Sequence, residues 1–364
     1  MTANKIYGKK EETIISALSE LYRQYGYKRY KPGSFEEYSL YQENKDFLIG
    51  KNVITFSDLN GKLMAIRPDI TLSLIRHCSI PTLSSDKYFY NEKVYRQSAG
   101  AKNYKEISQT GVEVVGAIDG AVVCELTILI CRTLGSISKN YLLDISHIRF
   151  TEGLLDEFPD NREIISSYLR SKNLHDFYSL AKKKGYSEKL IQAFEIAVKA
   201  EGSAKNALEY AKSAILNSTM RDAIVELQSI YNVLAGLGYA DKININFSAT
   251  ANADYYNGII FNGYIEGIPR CVLTGGRYDK LLKKFGKCGG AVGFALYLGE
   301  IERYLDSDYE SVDYLIIYDE KSQFDALKLA GEYISKGFRV RTSLNFDGID
   351  FKDIIDLTSN GGEK

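Results

Sequence analysis

The residues with the clearest chemical content lie between Lys87 and Gly116, in the stretch KYFYNEKVYRQSAGAKNYKEISQTGVEVVG. An aromatic run ends in a single Arg96, a loop of small and basic residues follows, and a second run carries Gln109 and Glu113. Side chains alternate along a strand, so Gln109 and Glu113 share one face while Thr110, Val112 and Val114 share the other. A carboxylate in the middle of an apolar strand is costly to bury unless it meets a cation or hydrogen-bond donors. Glu113 is therefore expected to face a polar ligand, with a structural salt bridge to a neighbouring Lys or Arg as the alternative.

Other chemistries find less support. Cys78, Cys124, Cys131, Cys271 and Cys288 are scattered and never in CxxC spacing. They read as small buried hydrophobes of a reduced, cytoplasmic protein. His77, His147 and His175 are not paired with another ligand at helical spacing, so no metal site is expected. The phosphate-cradling patterns GxGxxG and GxxxxGK[ST] are absent. The chain has no Trp and 28 Tyr, so tyrosines must supply much of the packing, and a Tyr in a site is not distinctive by itself.

The elements that must hold these groups follow from the patterning along the chain. The spacing of Ile14, Leu18, Leu21, Tyr22 and Tyr25 predicts a helix over 8–25, stopped by Gly26. A strand is expected over Tyr27–Pro32 and a hairpin over Asn52–Phe56 and Lys62–Ile66 around the turn Asp58-Leu59-Asn60-Gly61. Arg67-Pro68-Asp69 breaks that strand, and Thr71 opens a helix. A buried helix is expected over 120–134 and a strand over Asp144–Phe150. Residues 156–238 read as helices only, an insertion rather than a continuation of the sheet. Strands are expected to resume at Ile243–Phe247, Tyr255–Tyr264 and Arg270–Leu273. Gly275-Gly276-Arg277-Tyr278-Asp279 reads as a tight turn into a short helix, and AVGFALYLGEIERYL as a strand running into a helix. The acidic stretch Asp306–Glu310 reads as a linker before one βαβ unit with a short polar tail.

The length of 364 residues suits one large domain plus a smaller one, or two to three domains. Hydrophobic content of 45 % and charged content of 26 % are those of a soluble globular protein, and the net charge of −1 gives no electrostatic footprint for nucleic acid. No apolar run approaches a membrane span, and the N-terminus lacks the apolar core of a signal peptide.

Six segments in order, IRPDITLSLIRH, Arg96 to Gly116, LDISHIRFTEGLL, ADYYNGIIFNGY, GGRYDKLL and AVGFALYLGEIERYL, together resemble the class II aminoacyl-tRNA synthetase core and, within it, the histidyl-tRNA synthetase branch. The resemblance covers about residues 5–305. It implies an α+β fold, a mixed and mostly antiparallel sheet flanked by helices over 1–305. Residues 156–238 would be an insertion in that core, and 306–364 a truncated α/β unit. Two activities occur in the branch: the synthetase itself, and a non-catalytic regulatory subunit of ATP phosphoribosyltransferase, the first enzyme of histidine biosynthesis.

The resemblance also carries residues. The positions that would hold histidine are Asp69 and Thr71 after the Arg-Pro turn, Arg96, Gln109 and Glu113, and Tyr255 and Tyr256 in the DYY segment. Asp69 and Glu113 would take the α-ammonium or an imidazole N–H by charge-assisted bonds, and Thr71, Gln109 and a Tyr hydroxyl would add neutral partners. The positions that would handle ATP are depleted. Arg96 is followed by Gln97-Ser98-Ala99 in place of an acidic residue and an arginine. The histidine-specific arginine falls on Ala251, and the arginine of the third motif falls on Glu300, with Arg303 a helical turn away.

Positioned cations provide most of the stabilisation in phosphoryl-type chemistry, and losing one such donor commonly costs on the order of a hundredfold to a thousandfold. The expected function is therefore histidine-dependent regulation of a short-form ATP phosphoribosyltransferase catalytic subunit, with no catalytic residues, no cofactor and no metal. A homodimer pairing around Tyr27–Glu37, within a larger hetero-assembly, follows by resemblance only. Neither nucleic acid nor membrane is an expected partner. The alternative is a divergent synthetase or a paralogue that makes histidyl-adenylate.

Overall fold

The computed structural model describes residues 8–48, 52–81, 83–97, 103–248, 255–302, 312–346 and 351–358. The chain divides into two compact units, Met1–Tyr304 and Leu305–Lys364. Ser98, Ala99, Ala251, Arg303 and the expected linker Asp306–Glu310 lie outside the described residues.

The larger unit begins with α1 (Gly8–Gln24), β1 (Lys28–Arg29), β2 (Phe35–Glu37), α2 (Tyr38–Glu43), β3 (Thr55–Ser57) and β4 (Leu63–Ile66). It continues through α3 (Thr71–His77), β5 (Ser85–Gln97), β6 (Tyr104–Gly116), α4 (Gly120–Gly135), β7 (Tyr141–His147) and α5 (Ile148–Asp156). The insertion follows as α6 (Arg162–Ser171), α7 (Leu174–Lys184), α8 (Glu188–Lys199), β8 (Glu201–Ser203), α9 (Ala204–Ala211) and α10 (Ser218–Gly236). The core then closes with β9 (Ile243–Asn246), β10 (Ile259–Ile265), β11 (Leu273–Arg277), α11 (Asp279–Lys284), β12 (Gly290–Tyr297) and α12 (Leu298–Glu302).

Among the described residues nine strands form one sheet in the order β1-β5-β6-β12-β11-β10-β7-β9-β8. Its pairings are antiparallel except β1 with β5 and β7 with β9. Strands β2, β4 and β3 make a separate small antiparallel sheet. The register separates two faces of the large sheet. Phe89, Val112 and Phe294 are cross-strand neighbours, and the ring of Tyr22 from α1 packs on Phe89 and Phe294 at 5.9 and 6.2 Å. That is the face covered by α1. Tyr88, Glu113 and Gly293 form the row one residue along and point the other way.

Several expectations need correction. The strand expected over Tyr27–Pro32 is confined to Lys28–Arg29. The strand expected to reach Phe150 ends at His147, whose side chain accepts from the Arg149 N–H and so caps α5. Residues 156–238 are not helical throughout, because β8 pairs with β9 and extends the sheet. The Gly275-Gly276-Arg277 segment is the end of β11 rather than a turn, paired on both sides, and the helix starts only at Asp279. Bare glycine backbone is required there, since a Cβ at Gly275 would lie 2.4 Å from the Gly293 carbonyl.

The insertion has its own aromatic core, with Phe177 and Phe194 stacked at 3.7 Å and Phe158 edge-on to Phe177. The smaller unit holds β13 (Val312–Ile317), α13 (Gln323–Ser335), β14 (Val340–Ser343) and β15 (Phe351–Asp356). The tail expected to be merely polar supplies β15, which lies parallel beside β13. Ile316, Ala326 and Ala330 are its buried centre.

Candidate functional site

The site is built on the face of the large sheet opposite α1, beneath α3, where three features converge. The first is the turn Arg67-Pro68-Asp69. Arg67 is buried and donates to the carbonyls of Pro32, Gly33 and Lys93 and to the Glu92 carboxylate, which pins the turn against β5. Asp69 then accepts the Leu72 N–H at 2.9 Å, so the start of α3 is fixed and Thr71 is aimed across the sheet. The second is β6, which delivers Gln109 and Glu113. The third is the tyrosine wall of Tyr255, Tyr256 and Tyr278, with the Tyr255 ring 4.7 Å from Tyr256 and 5.6 Å from Tyr278.

Asp69, Thr71, Arg96, Gln109, Glu113, Tyr255 and Tyr256 all line one cleft with about 420 Å³ of empty space, mouth included. Tyr90, Thr274, Tyr278 and Tyr297, which residue order alone does not assign, also line it, together with Ile70, Phe294 and the small residues Gly275, Gly293 and Ala295. The RYD of GGRYDKLL was the available signal for Tyr278, but reading the glycines as a turn hid its direction.

Glu113 is 2 % exposed, and its partners are hydroxyls rather than a cation. Thr71 Oγ1 donates to Oε1 at 2.6 Å and the Tyr278 hydroxyl donates to Oε2. Burial drives the Glu113 carboxyl up to about 8, an effect the two hydroxyls offset in part and the nearby Asp69 charge reinforces. Gly293 is what allows this approach, because a Cβ there would stand 1.8 Å from Glu113 Oε2. Asp69 is likewise raised by burial, opposed by the Arg96 charge and by backbone N–H groups. Arg96 donates from Nε to the Pro68 carbonyl at 2.7 Å and lies 3.4 Å from Asp69 Oδ2. Gln109 is 2 % exposed, and its Nε2 has no hydrogen-bond partner among the described residues. A buried amide donor left without an acceptor is costly, so this one points to a missing acceptor in the cleft.

At the position resembling the third-motif arginine, Glu300 on α12 meets Arg270 at 3.5 Å. Among the described residues no group of three or more His, Cys, Asp or Glu could hold a metal, and no helix is long and apolar enough to cross a membrane.

A nine-stranded mixed sheet with helices on both faces, and a polar cleft between the sheet and the shorter helices, is the class II aminoacyl-tRNA synthetase architecture. A family profile described as histidyl-tRNA synthetase matches residues 7–301, and the chain belongs to that family. Among curated proteins, the ATP phosphoribosyltransferase regulatory subunit of Bacillus cereus (strain AH820) is 25 % identical over 350 residues, covering 92 % of this chain and 82 % of the relative. Two solved structures share the fold. One is an ATP phosphoribosyltransferase regulatory subunit/histidyl-tRNA synthetase from Bacillus halodurans, with TM-score 0.78 and 21 % identity, covering 98 % of this chain and 99 % of the other. The other is from the ATP phosphoribosyl transferase complex of Thermotoga maritima, with TM-score 0.64 and 20 % identity, covering 79 % and 97 %.

Proposed function

We propose that this chain binds free histidine in the cleft and acts as a non-catalytic regulatory subunit, passing histidine occupancy to a short-form ATP phosphoribosyltransferase catalytic subunit. The observation that carries the reading is the unmatched polar floor. Gln109 Nε2 is a buried donor in want of an acceptor, and Glu113 is a buried carboxyl served only by hydroxyls. A small zwitterion with extra N–H groups supplies both complements, a carboxylate or ring nitrogen for Gln109 and a cationic N–H for Glu113. The tyrosine rings give an imidazole apolar flanks. Arg96, turned toward Pro68 and Asp69 at the rim, is the available counter-charge for the α-carboxylate.

The names carried by the Bacillus cereus relative and by the Thermotoga maritima complex support the regulatory role. The pairing of Glu300 with Arg270, in place of an arginine facing polyphosphate, supports the absence of adenylation. Phe35 is 58 % exposed and edge-on to Phe56 in the small sheet, which supports self-association through the segment around Tyr27–Glu37. Coupling between histidine and the catalytic subunit's ligands is reciprocal and on the order of 1–3 kcal/mol.

The test is co-purification with a short-form catalytic subunit and turnover with and without histidine. Inhibition by histidine only when this chain is present is expected. Histidine-dependent ATP–pyrophosphate exchange by this chain alone would favour the adenylate-forming alternative.

A further inference from the structure

Just behind the tyrosine wall, outside the cleft lining, lies a compact hydrogen-bonded clasp between Asn257 and Asp279. The Asp279 N–H donates to Asn257 Oδ1 at 2.7 Å, and Asn257 Nδ2 returns a bond to Asp279 Oδ2 at 3.2 Å. The Asn257 N–H donates to the Arg277 carbonyl at 2.9 Å. Asp279 also collects Arg277 Nε at 2.8 Å on Oδ2 and the Ala291 N–H at 2.9 Å on Oδ1. The Tyr278 N–H closes the set on the Ala291 carbonyl at 2.8 Å. These bonds join three chain segments that are distant in sequence: the end of the DYYN run, the strand-to-helix junction at β11, and the start of β12.

The position of this clasp gives it meaning. Asn257 directly follows Tyr255 and Tyr256, and Tyr278 stands between Arg277 and Asp279. The backbone on both sides of the tyrosine wall is therefore held by the same two side chains, on the segment whose hydroxyl reaches Glu113. A binding site keeps its geometry only when the groups behind the contacting side chains are themselves locked. We infer that Asn257 and Asp279 are positioning residues for the ligand cleft. They touch no ligand, but they fix Tyr278 against Glu113 and Tyr255 against Tyr278, and so set the width of the imidazole slot. The affinity readout of this inference rests on the proposed histidine site; its backbone readout does not.

The pair allows a donor–acceptor swap. Asp279→Asn turns amide hydrogens toward Asn257 Nδ2 or Arg277 Nε, and Asn257→Asp sets carboxylate against carboxylate. The double swap restores donor to acceptor between the two side chains, while the amide at 279 still faces Arg277 Nε, so recovery is partial. Each single variant is expected to weaken histidine binding about tenfold by calorimetry, and the double variant to bind about threefold more tightly than Asp279→Asn. In ligand-free protein, hydrogen exchange at the Tyr278 and Ala291 amides is expected to accelerate in the single variants and to slow again in part in the double. Arg277→Lys, which disturbs only one contact to Asp279, is the milder probe should a single variant fail to fold, and it is expected to accelerate the same two amides. Unchanged exchange at these amides in the single variants, or a double variant no better protected than Asp279→Asn, overturns the clasp whether or not histidine binds. If the unmodified chain shows no histidine binding, the proposed function fails while the exchange result still decides the clasp.

Discussion

Two carboxylates, Glu113 on β6 and Glu300 on α12, show how location sets what an acid can do. Glu300 is partly exposed and meets Arg270, a surface pair of the kind worth well under about 1 kcal/mol. Glu113 lies under the sheet's polar face with two hydroxyls, and its carboxyl is pushed toward neutrality. The exposed acid is satisfied by a cation within the chain, whereas the buried one meets only hydroxyls, and in the proposed function it holds charge capacity in reserve for a ligand's cation. The contrast teaches that the proposed histidine recognition and the proposed loss of nucleotide chemistry are separate properties, each tied to its own carboxylate.

The contrast can be broken most severely at Gly293. Gly293→Ala drives a methyl into Glu113 Oε2 and to 2.4 Å from the Val112 carbonyl on the neighbouring strand, so histidine affinity measured by calorimetry should fall by more than about a hundredfold and chemical denaturation should show a less stable sheet. Glu113→Gln keeps the shape but removes the ionisable oxygen, and the loss should be about tenfold to a hundredfold by the same titration. Asp69→Asn retains the bond from Leu72 but loses charge beside Arg96, and about a tenfold loss is expected.

The reserve of charge at Glu113 also has a pH signature in ligand-free protein. The unfolded glutamate ionises near 4.5 and the folded one near 8, so the fold favours the protonated form. That contribution is complete below about pH 4.5 and is lost as pH rises through about 8. Chemical denaturation at pH 5 and pH 8 should differ by a few kcal/mol more in the parent than in Glu113→Gln, where this slope is absent. An equal slope in both proteins would show that Glu113 does not carry it. The smallest effect belongs to the exposed acid. Glu300→Gln should change histidine affinity by less than about twofold and leave pyrophosphate exchange at background. A larger shift would join the two carboxylates into one site.

Much of the cleft was legible in residue order, because strand alternation alone puts Gln109 and Glu113 side by side. The same rule separates them from Val112 and Val114, which are buried on the other face. The Arg-Pro-Asp turn and the helix over 120–135 were legible for similar local reasons, a proline break and an apolar period. What escaped was set by partners far away in sequence. Gly275 and Gly276 look like a turn to any local rule, yet both are strand residues held flat by their neighbours on β10 and β12. Glu201–Ser203 and Phe351–Asp356 become strands only because β9 and β13 offer open edges. The hydroxyl partners of Glu113 come from residues 42 and 165 positions away, beyond the reach of any spacing argument.

The margins of the large sheet carry one last consequence. The strand at one border is two residues long with Lys28 and Arg29, and the strand at the other is three residues long with Glu201 and Ser203. Long, flat, apolar borders recruit foreign strands and seed aggregation, while short charged ones offer too few free N–H and C=O groups to template growth. A nine-stranded sheet finished this way gives a foreign strand little to extend at either rim.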